Sequence, residues 1–312
     1  MTTSNSVDFS VTRDNLITDA MTLTGIVGIG ETPSATQITW GARILNQIVK
    51  AWHSKGIQLW ARKTGYVLPV TGVNSTTLGP SGGHATLSYT QTTLSAAATD
   101  GATTVVVTSA TGISNGYYIG IEQTDGTMHW TTVNGAPSGT TVTLTAAITE
   151  NCDSGAWVYV YQTKLQRPVR VVEAYVHNQS SGADRQIEVV AKSIYDLYGY
   201  KPGESSPILC AYDPQLDNGI FYYAPRFEDG EELITIIFQR PFEDFDATGD
   251  TPDFPQEGYD ALMMALAVRV APAGGLPVQD RALLKAEAKE AFDLFTQNEP
   301  EEGSYQMQPE IQ

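Results

Sequence analysis

The sequence predicts an α+β fold with helices near both ends of the chain and β-strands between them. Apolar residues recur with helical periodicity in the first sixty residues and again after residue 254. Short β-branched and aromatic runs, separated by Asp-Gly and Asn-Gly turn signals, fill the middle. At 312 residues, of which 41% are hydrophobic, the chain can bury a substantial core.

Two helices are predicted in the first sixty residues. Ser10 or Thr12 can cap the first of them. Thr32 followed by Pro33 is typical of a helix start and predicts a second helix over residues 34–54. Apolar residues lie on two sides of this second helix, which predicts packing against more than one neighbour, including another subunit. The GIVGIG sequence between the helices has neither Rossmann nor P-loop spacing, so we interpret it as a connector.

The middle of the chain is predicted to be an inserted all-β module over residues 79–162. Residues 64–163 contain five acids and no Lys or Arg, whereas the first 63 residues carry a net charge of +2 and residues 164–312 carry −14. Such a change in composition is typical of a module boundary. Five runs predict the strands of a small antiparallel sandwich or barrel. They are TTVVVT, GYYIGIEQ, TMHWTTV, TTVTLTA and AWVYVYQ.

Residues 1–78 and 163–312 are predicted to form one discontinuous core around this module. RPVRVVEAYVHN and RQIEVVAKSI predict two strands with a turn at Ser181-Gly182. GIFYYAP and ELITIIFQRP predict another strand pair, joined through Asp229-Gly230. One helix is predicted up to Val270 and another after Pro277, together forming the C-terminal part of a helical body. Residues 299–312 have no core-forming period and are predicted to be a flexible arm.

Charge and composition exclude several classes of protein. The net charge of −17 repels phosphate, so a clamp wrapped tightly on nucleic acid is not expected. The longest apolar run, residues 261–268, is too short to span a bilayer, and the N-terminus does not resemble a signal peptide. Cys152 and Cys210 are too few for a disulfide framework. We therefore expect a soluble protein made in a cytosol.

No catalytic or metal-binding motif is found in the sequence. The four histidines, at positions 53, 84, 129 and 177, share no metal-ligand spacing, and neither cysteine has a C-x-x-C partner. There is no G-x-S-x-G elbow. The acidic run EDFDATGDTPD lacks the spacing of an EF-hand and predicts a solvated loop. The sequence thus predicts no cofactor, no metal and no enzymatic activity.

Characteristic stretches at both ends of the chain occur in a fixed order. The first, RDNLITDAMTLTGIVGIGETPSATQITWGARILNQIVKAWHSKGIQLWARK, ends in the pattern Trp52, Gly56, Leu59 and Trp60. SIYDLYGYKPGESSPILCAYDPQLDNGIFYYAP, FQRPFEDFD and DTPDFPQEGYDALMMALAVRVAPAGGLP follow, and EEGSYQMQPE closes the chain. This order resembles the head-to-tail adaptor proteins of short-tailed bacteriophages. The resemblance covers residues 7–70 and 164–310, and the β module interrupts it.

The resemblance implies a structural virion protein at the head–tail junction, present in the host cytoplasm during assembly. Such proteins form a ring, usually dodecameric, which connects the portal to the tail nozzle and seals the packaged-DNA channel. The implied partners are the portal protein, the nozzle protein, further copies of the chain and passing double-stranded DNA that is not bound specifically. No membrane is involved.

Three sets of residues receive roles under this resemblance. An acidic channel lining suits DNA that must slide without sticking, because like charges repel. The predicted portal-docking residues are Tyr305, Met307, Pro309 and Ile311. The predicted ring-packing residues are Trp40, Ile44, Ile48, Trp52, Trp60, Leu284 and Phe295. The candidate acidic lumen residues are Glu243, Asp244, Asp246 and Asp250.

Two alternatives from other classes stay open. An adhesin or carbohydrate-binding protein would act through aromatic residues of the insertion, namely Tyr117, Tyr118, Trp130 and Trp157. Exposure of these side chains would favour that function, and burial of all four would count against it. A cell-wall hydrolase acting during phage entry is the other alternative, although no motif favours it.

Overall fold

The computed structural model describes Ser6 and residues 8–53 and 59–297 of the chain. It is a mixed structure of α-helices and largely antiparallel sheets, so the predicted α+β class is confirmed. The chain divides into two compact units, residues 1–61 with 242–312 and residues 62–241. These boundaries differ from the predicted ones, because the strands flanking the insertion belong to the same unit as the insertion. None of the described helices combines the length and the hydrophobicity that a membrane-spanning helix needs.

The helices fall close to their predicted positions. Two short 3₁₀ turns, Leu59–Ala61 and Gln256–Gly258, accompany them. The described α-helices are α1 (Arg13–Leu23), α2 (Ala35–His53), α3 (Lys192–Leu197), α4 (Tyr259–Val270) and α5 (Val278–Gln297). All except α3 belong to the first, helical unit.

The N-terminus of α2 differs from the predicted one. α1 begins after Thr12, whose hydroxyl accepts a hydrogen bond from the backbone N–H of Asn15 at 3.3 Å, as predicted. At α2, Ser34 and Gln37 exchange bonds instead: the Ser34 N–H donates to Oε1 of Gln37 at 2.7 Å, and the Gln37 N–H donates to Oγ of Ser34 at 3.4 Å. This capping box gives hydrogen-bond acceptors to two backbone N–H groups that have no acceptor within the helix. The prediction of a start at Thr32-Pro33 was therefore wrong.

Helix α4 is the centre of the helical unit. Its sequence, YDALMMALAVRV, is apolar on nearly all sides, which is typical of a helix surrounded by others. α4 packs against α1, α2 and α5, and Leu262, Leu266 and Val270 are completely buried. α1 and α2 approach each other closely at Gly41, where a Cβ atom would lie 2.6 Å from Cγ2 of Ile17. A glycine is required there because no larger residue leaves room for both helices.

The second unit contains fourteen described strands. The strands of the platform, by which we mean the eight-stranded sheet of this unit, are β1 (Arg62–Val67), β2 (Ser75–Leu78), β3 (Ala85–Thr86), β10 (Arg170–Asn178), β11 (Asp184–Val189), β12 (Leu209–Asp213), β13 (Gly219–Ala224) and β14 (Glu232–Gln239). The strands of the insertion are β4 (Thr90–Thr93), β5 (Thr104–Val106), β6 (Tyr118–Glu122), β7 (Met128–Thr132), β8 (Thr141–Thr143) and β9 (Trp157–Tyr161). All five predicted insertion strands are present.

The platform has the strand order β2-β13-β12-β11-β10-β14-β1-β3, in which only β11 and β12 pair in parallel. β14 lies between β10 and β1, with Val67 opposite Ile234 and Val176 opposite the same residue. Its sequence ELITIIFQ is a nearly continuous apolar run, which suits a strand buried on both faces. The predicted pairing of GIFYYAP with ELITIIFQRP was wrong, because β13 pairs with β12 and β2 while β14 pairs with β10 and β1.

The insertion has a hydrophobic core of its own. It consists of a four-stranded sheet, β4-β9-β6-β7, and the two-stranded sheet β5-β8. Alternate residues of these strands, including Val105, Ile119, Ile121 and Val158, are buried together. Alternation of this kind is expected when one face of an antiparallel sheet covers a core.

Candidate functional site

The candidate acidic lumen residues lie on the loop between β14 and α4. Glu243, Asp244 and Asp246 are exposed, whereas Asp250 is half-buried. Oδ2 of Asp250 accepts hydrogen bonds from the backbone N–H groups of Asp246 and Ala247, at 2.8 and 2.6 Å. Asp250 therefore stabilises the shape of its own loop, and the other three carboxylates face solvent.

The same loop is fastened to α2 by polar contacts. Asn46 accepts a hydrogen bond from the Phe245 N–H at 2.9 Å and donates one to the Phe245 carbonyl oxygen at 3.4 Å. Nζ of Lys50 donates to the carbonyl oxygen of Phe242 at 2.9 Å and pairs with the Asp244 carboxylate at 2.7 Å. One of the four acidic charges is therefore already matched by a base within the helical unit.

A groove of about 800 Å³ runs beside this loop. Three basic residues, Arg13, Arg43 and Lys50, line it together with Asp246. Arg13 is 7% exposed, and its guanidinium pairs with Asp14 at 2.8 Å and donates to the Asp246 carbonyl oxygen at 3.2 Å. Arg43 is exposed. Two of these three bases, Arg43 and Lys50, lie on α2, and Arg13 lies on α1.

The predicted ring-packing residues lie mostly inside the helical unit of a single chain. Trp52, Leu284 and Phe295 are 7%, 6% and 6% exposed, and Ile48 is 1% exposed. The ring of Trp52 lies 4.8 Å from that of Phe292, measured between centroids. These side chains belong to the core that α2, α4 and α5 share, so they pack against their own chain.

The other three predicted ring-packing residues are half-buried. Trp40 and Ile44 pack on the edge of the same core, which accounts for the second apolar side of α2. Trp60 stacks on Phe242 at 6.0 Å and contacts Phe295 at 5.2 Å. The surface that α2 leaves open is instead its polar stripe. The predicted portal-docking residues Tyr305, Met307, Pro309 and Ile311 lie outside the described residues.

The four aromatic residues of the adhesin alternative are half-buried, and all except Tyr117 belong to a cluster that joins the insertion to the platform. We call their cluster the aromatic seam; it contains Leu68, Met128, Tyr159, Tyr161 and Leu233, with Tyr66, Tyr89, Tyr118, Trp130 and Trp157 packed against them. The Trp130 ring stacks on His84 at 3.9 Å, and its Nε1 donates to the Pro69 carbonyl oxygen at 3.0 Å. Tyr117 lies at the margin of the insertion's own core and donates to Gln162 at 3.2 Å.

Two polar side chains strengthen the aromatic seam, and no sequence motif points to either of them. The buried Tyr159 hydroxyl donates to the Gly230 carbonyl oxygen at 2.6 Å. Glu122 accepts hydrogen bonds from the N–H groups of Gly230 and Trp157, both at 3.1 Å. Burial raises the pKa of Tyr159 and also that of Glu122. The Asp229-Gly230 turn thus connects platform to insertion.

The titratable groups that could support catalysis are dispersed. Burial, followed by the charge of Lys164, lowers the pKa of His84 to about 4, and its Nδ1 hydrogen-bonds the Tyr161 hydroxyl at 2.9 Å. Burial raises the pKa of Cys152 to about 11 and that of Cys210 to about 12, which keeps both thiols protonated at neutral pH. In the described part of the chain, no three His, Cys, Asp or Glu residues are grouped so that they could hold a metal ion.

The described residues form a mixed α+β protein whose candidate residues take part mainly in hydrophobic packing and in charge interactions. A scan against protein-family models gives no match, and a search of curated proteins gives none. A comparison with solved structures finds the Gp54 tailspike of Acinetobacter baumannii bacteriophage AP22, described in complex with A. baumannii capsular saccharide. That likeness covers 25% of this chain and 15% of that chain, at 21% identity and a TM-score of 0.22. A likeness so small carries no argument about fold or function.

Proposed function

We propose that the chain is a structural subunit of a phage head-to-tail adaptor, which assembles as a ring between the portal and the tail nozzle and has no catalytic step. The observation that carries the proposal is the ordered set of stretches at both ends of the chain, which resembles that family over residues 7–70 and 164–310. The ring would sit at the head–tail junction of the virion, around a channel that double-stranded DNA passes.

Two features of the helical unit support this proposal. The family-like stretches from both ends of the chain, near Trp52 and Phe254, meet in one core: their rings lie 6.0 Å apart although 202 positions separate them in the sequence. Glu243 and Asp246 present carboxylates to solvent on the acidic loop, as a surface that repels a phosphate backbone would. Both features suit a rigid ring subunit that faces DNA without binding it.

The adhesin alternative receives less support. Stacking of a sugar on an aromatic ring requires an open ring face. Trp130 is covered on one face by His84, and Tyr118 stacks on Tyr161 at 4.9 Å. Trp157 is packed in the aromatic seam. These side chains are used to attach the insertion to the platform, so we do not propose them as a carbohydrate site.

Removal of the predicted C-terminal arm tests the proposal. A chain ending at residue 298 retains α5, whose last residue is Gln297, and should therefore keep the stability of the full-length protein. We expect it to bind purified portal rings of the same phage more weakly than the full chain in co-sedimentation. A variant with Tyr305, Met307 and Ile311 replaced by Ser controls for length, because it keeps the full length of the chain but lacks these predicted docking side chains. Equal portal binding by all three proteins would contradict the docking role of the arm.

A further inference from the structure

The outer face of α2 is basic and polar in an otherwise acidic chain. The chain has 35 acids and 18 Lys and Arg residues, yet α2 contains no acid at all. Arg43 and Gln47 are exposed in the middle of this face, between the half-buried Trp40 and the exposed Ala51. A groove of about 460 Å³ lies beside Trp40 and Arg43. Lys50 is already paired with Asp244, so Arg43 is the cation that this face offers to a partner.

The outer face of α5, by which we mean the exposed stripe that runs from Leu283 to Leu294, has the opposite charge. Only Leu284 and Phe295 of this helix are buried. On the exposed side, Leu283 and Leu294 are 62% and 58% exposed, and the exposed acids Glu287 and Glu290 lie between them along one stripe. Lys285 and Lys289 are about 160° around the helix from Glu287, on the other edge of the exposed surface, at about 100° per residue.

The two faces match in length and pattern. Trp40, Arg43, Gln47 and Ala51 form a stripe that spans twelve residues of α2, and Leu283, Glu287, Glu290 and Leu294 form one that spans twelve residues of α5. Each stripe is about 16 Å long at about 1.5 Å per residue. Each has apolar residues at its ends and polar residues in its middle, and the charges in the middle are opposite. Such complementarity selects a partner and a register more strongly than apolar contact alone.

We propose that the outer face of α2 in one copy of the chain binds the outer face of α5 in the next copy. This interface rests on the proposed ring function and gives it a residue-level contact. Because the two faces are different surfaces of one helical unit, the contact is head-to-tail, and head-to-tail contacts produce a ring when the rotation closes. The residues responsible are Arg43 and Gln47 on one side and Glu287 and Glu290 on the other, rather than the buried residues of the core.

Charge reversal with mixing tests this interface. The first variant carries Arg43→Glu and Gln47→Glu, and the second carries Glu287→Lys and Glu290→Lys. All four positions are exposed, so both variants should fold, which thermal unfolding checks. Self-association of the full chain is measured by sedimentation equilibrium and native mass spectrometry, alone and with portal rings. Each variant alone should associate roughly 10- to 100-fold more weakly than the wild type, because like charges then face each other.

An equimolar mixture of the two variants should recover wild-type association, because each variant then meets complementary charge on both sides. A control variant with Lys285→Glu and Lys289→Glu changes charge on the other edge of α5 and should associate like the wild type. Variants that each assemble normally, a mixture as weak as its components, or a wild-type chain that never self-associates would overturn the interface. A wild type that assembles through these faces but ignores portals would instead overturn the adaptor function and leave the interface standing.

Discussion

Replacing Trp52 by Ala should destabilise the isolated chain, because Trp52 belongs to its core and not to an interface between copies. The side chain is 7% exposed and contacts the rings of Phe254, Phe292 and Phe295 at 6.0, 4.8 and 6.5 Å. A buried Trp removes roughly 200 Å² from water, which at about 25 cal/mol per Å² corresponds to about 5 kcal/mol. Ala retains a small part of this, so we expect a loss of about 4 kcal/mol, within the range known for Trp→Ala.

The assay is urea denaturation of the full chain at a concentration where it is monomeric, followed by far-ultraviolet circular dichroism. Trp40→Ala is the matched control, because Trp40 lies on the same helix but is only half-buried. It should lose about 1 to 2 kcal/mol, since less area returns to water. The core assignment would be refuted if the Trp52 variant unfolded at the wild-type midpoint and differed only in its assembly with other copies.

Three further perturbations probe the aromatic seam. Tyr159→Phe leaves the buried Gly230 carbonyl oxygen without its donor and should cost about 1 to 3 kcal/mol of unfolding free energy, measured by urea titration. Gly120→Ala would place a Cβ atom 2.6 Å from the Trp130 ring, and the overpacking should cost about 1 to 3 kcal/mol in the same assay. His84, with an ordinary pKa of 6.5 and a folded pKa of about 4, binds its proton first in the unfolded chain as pH falls. The wild type should therefore lose up to about 3 kcal/mol between pH 6.5 and 4, and His84→Phe should lose correspondingly less across that interval in parallel titrations.

The first two of these have a control in the same unit. Tyr117→Phe removes a hydroxyl that donates to exposed Gln162 and should change stability by less than about 0.5 kcal/mol. Gly199→Ala adds a Cβ atom with nothing within 4 Å and should be close to neutral. Equal effects of the seam variants and their controls would show that the seam does not hold the insertion to the platform. An unchanged pH slope in His84→Phe would show that another group is responsible for it.

The local elements of the fold could be predicted because their causes are local. The spacing of Leu16, Ala20 and Leu45 with their neighbours predicted α1 and α2, and alternation of β-branched residues predicted the strands of the insertion. Helix starts are decided by one or two hydrogen bonds. The helix is capped by the reciprocal hydrogen bonds of Ser34 and Gln37 and not by Thr32, although the Thr32-Pro33 pair just before them is also typical of a helix start. Only the geometry shows which cap forms.

Contacts within the chain between elements that lie far apart in the sequence could not be predicted. The Asp229-Gly230 turn indicated a hairpin, but β14 is buried on both faces and pairs with β10 and β1 instead of with β13. The second apolar side of α2 indicated a neighbouring subunit, but Trp40 and Ile44 are partly covered by the chain's own core. Periodicity shows that a face will be buried; it does not show which element buries it.

The candidate surfaces also contain some features that the sequence predicts and others that it does not. The exposed acids Glu243, Asp244 and Asp246 were predicted as a solvated loop, and charge alone makes that prediction. The polar ties of the seam, Tyr159 to Gly230 and Glu122 to the same turn, join residues 71 and 108 positions apart, and no motif marks them. Hydrogen bonds of this kind follow from the fold and can be found only once the fold is known.

The most direct test of the adaptor proposal is the mass of the purified full-length chain, first alone and then with purified portal rings of the same phage. Native mass spectrometry of the mixture should give portal rings that carry a fixed number of copies, in a ratio that stays constant when the chain is in excess. A chain that leaves the mass of the portal ring unchanged at every ratio would contradict the proposal.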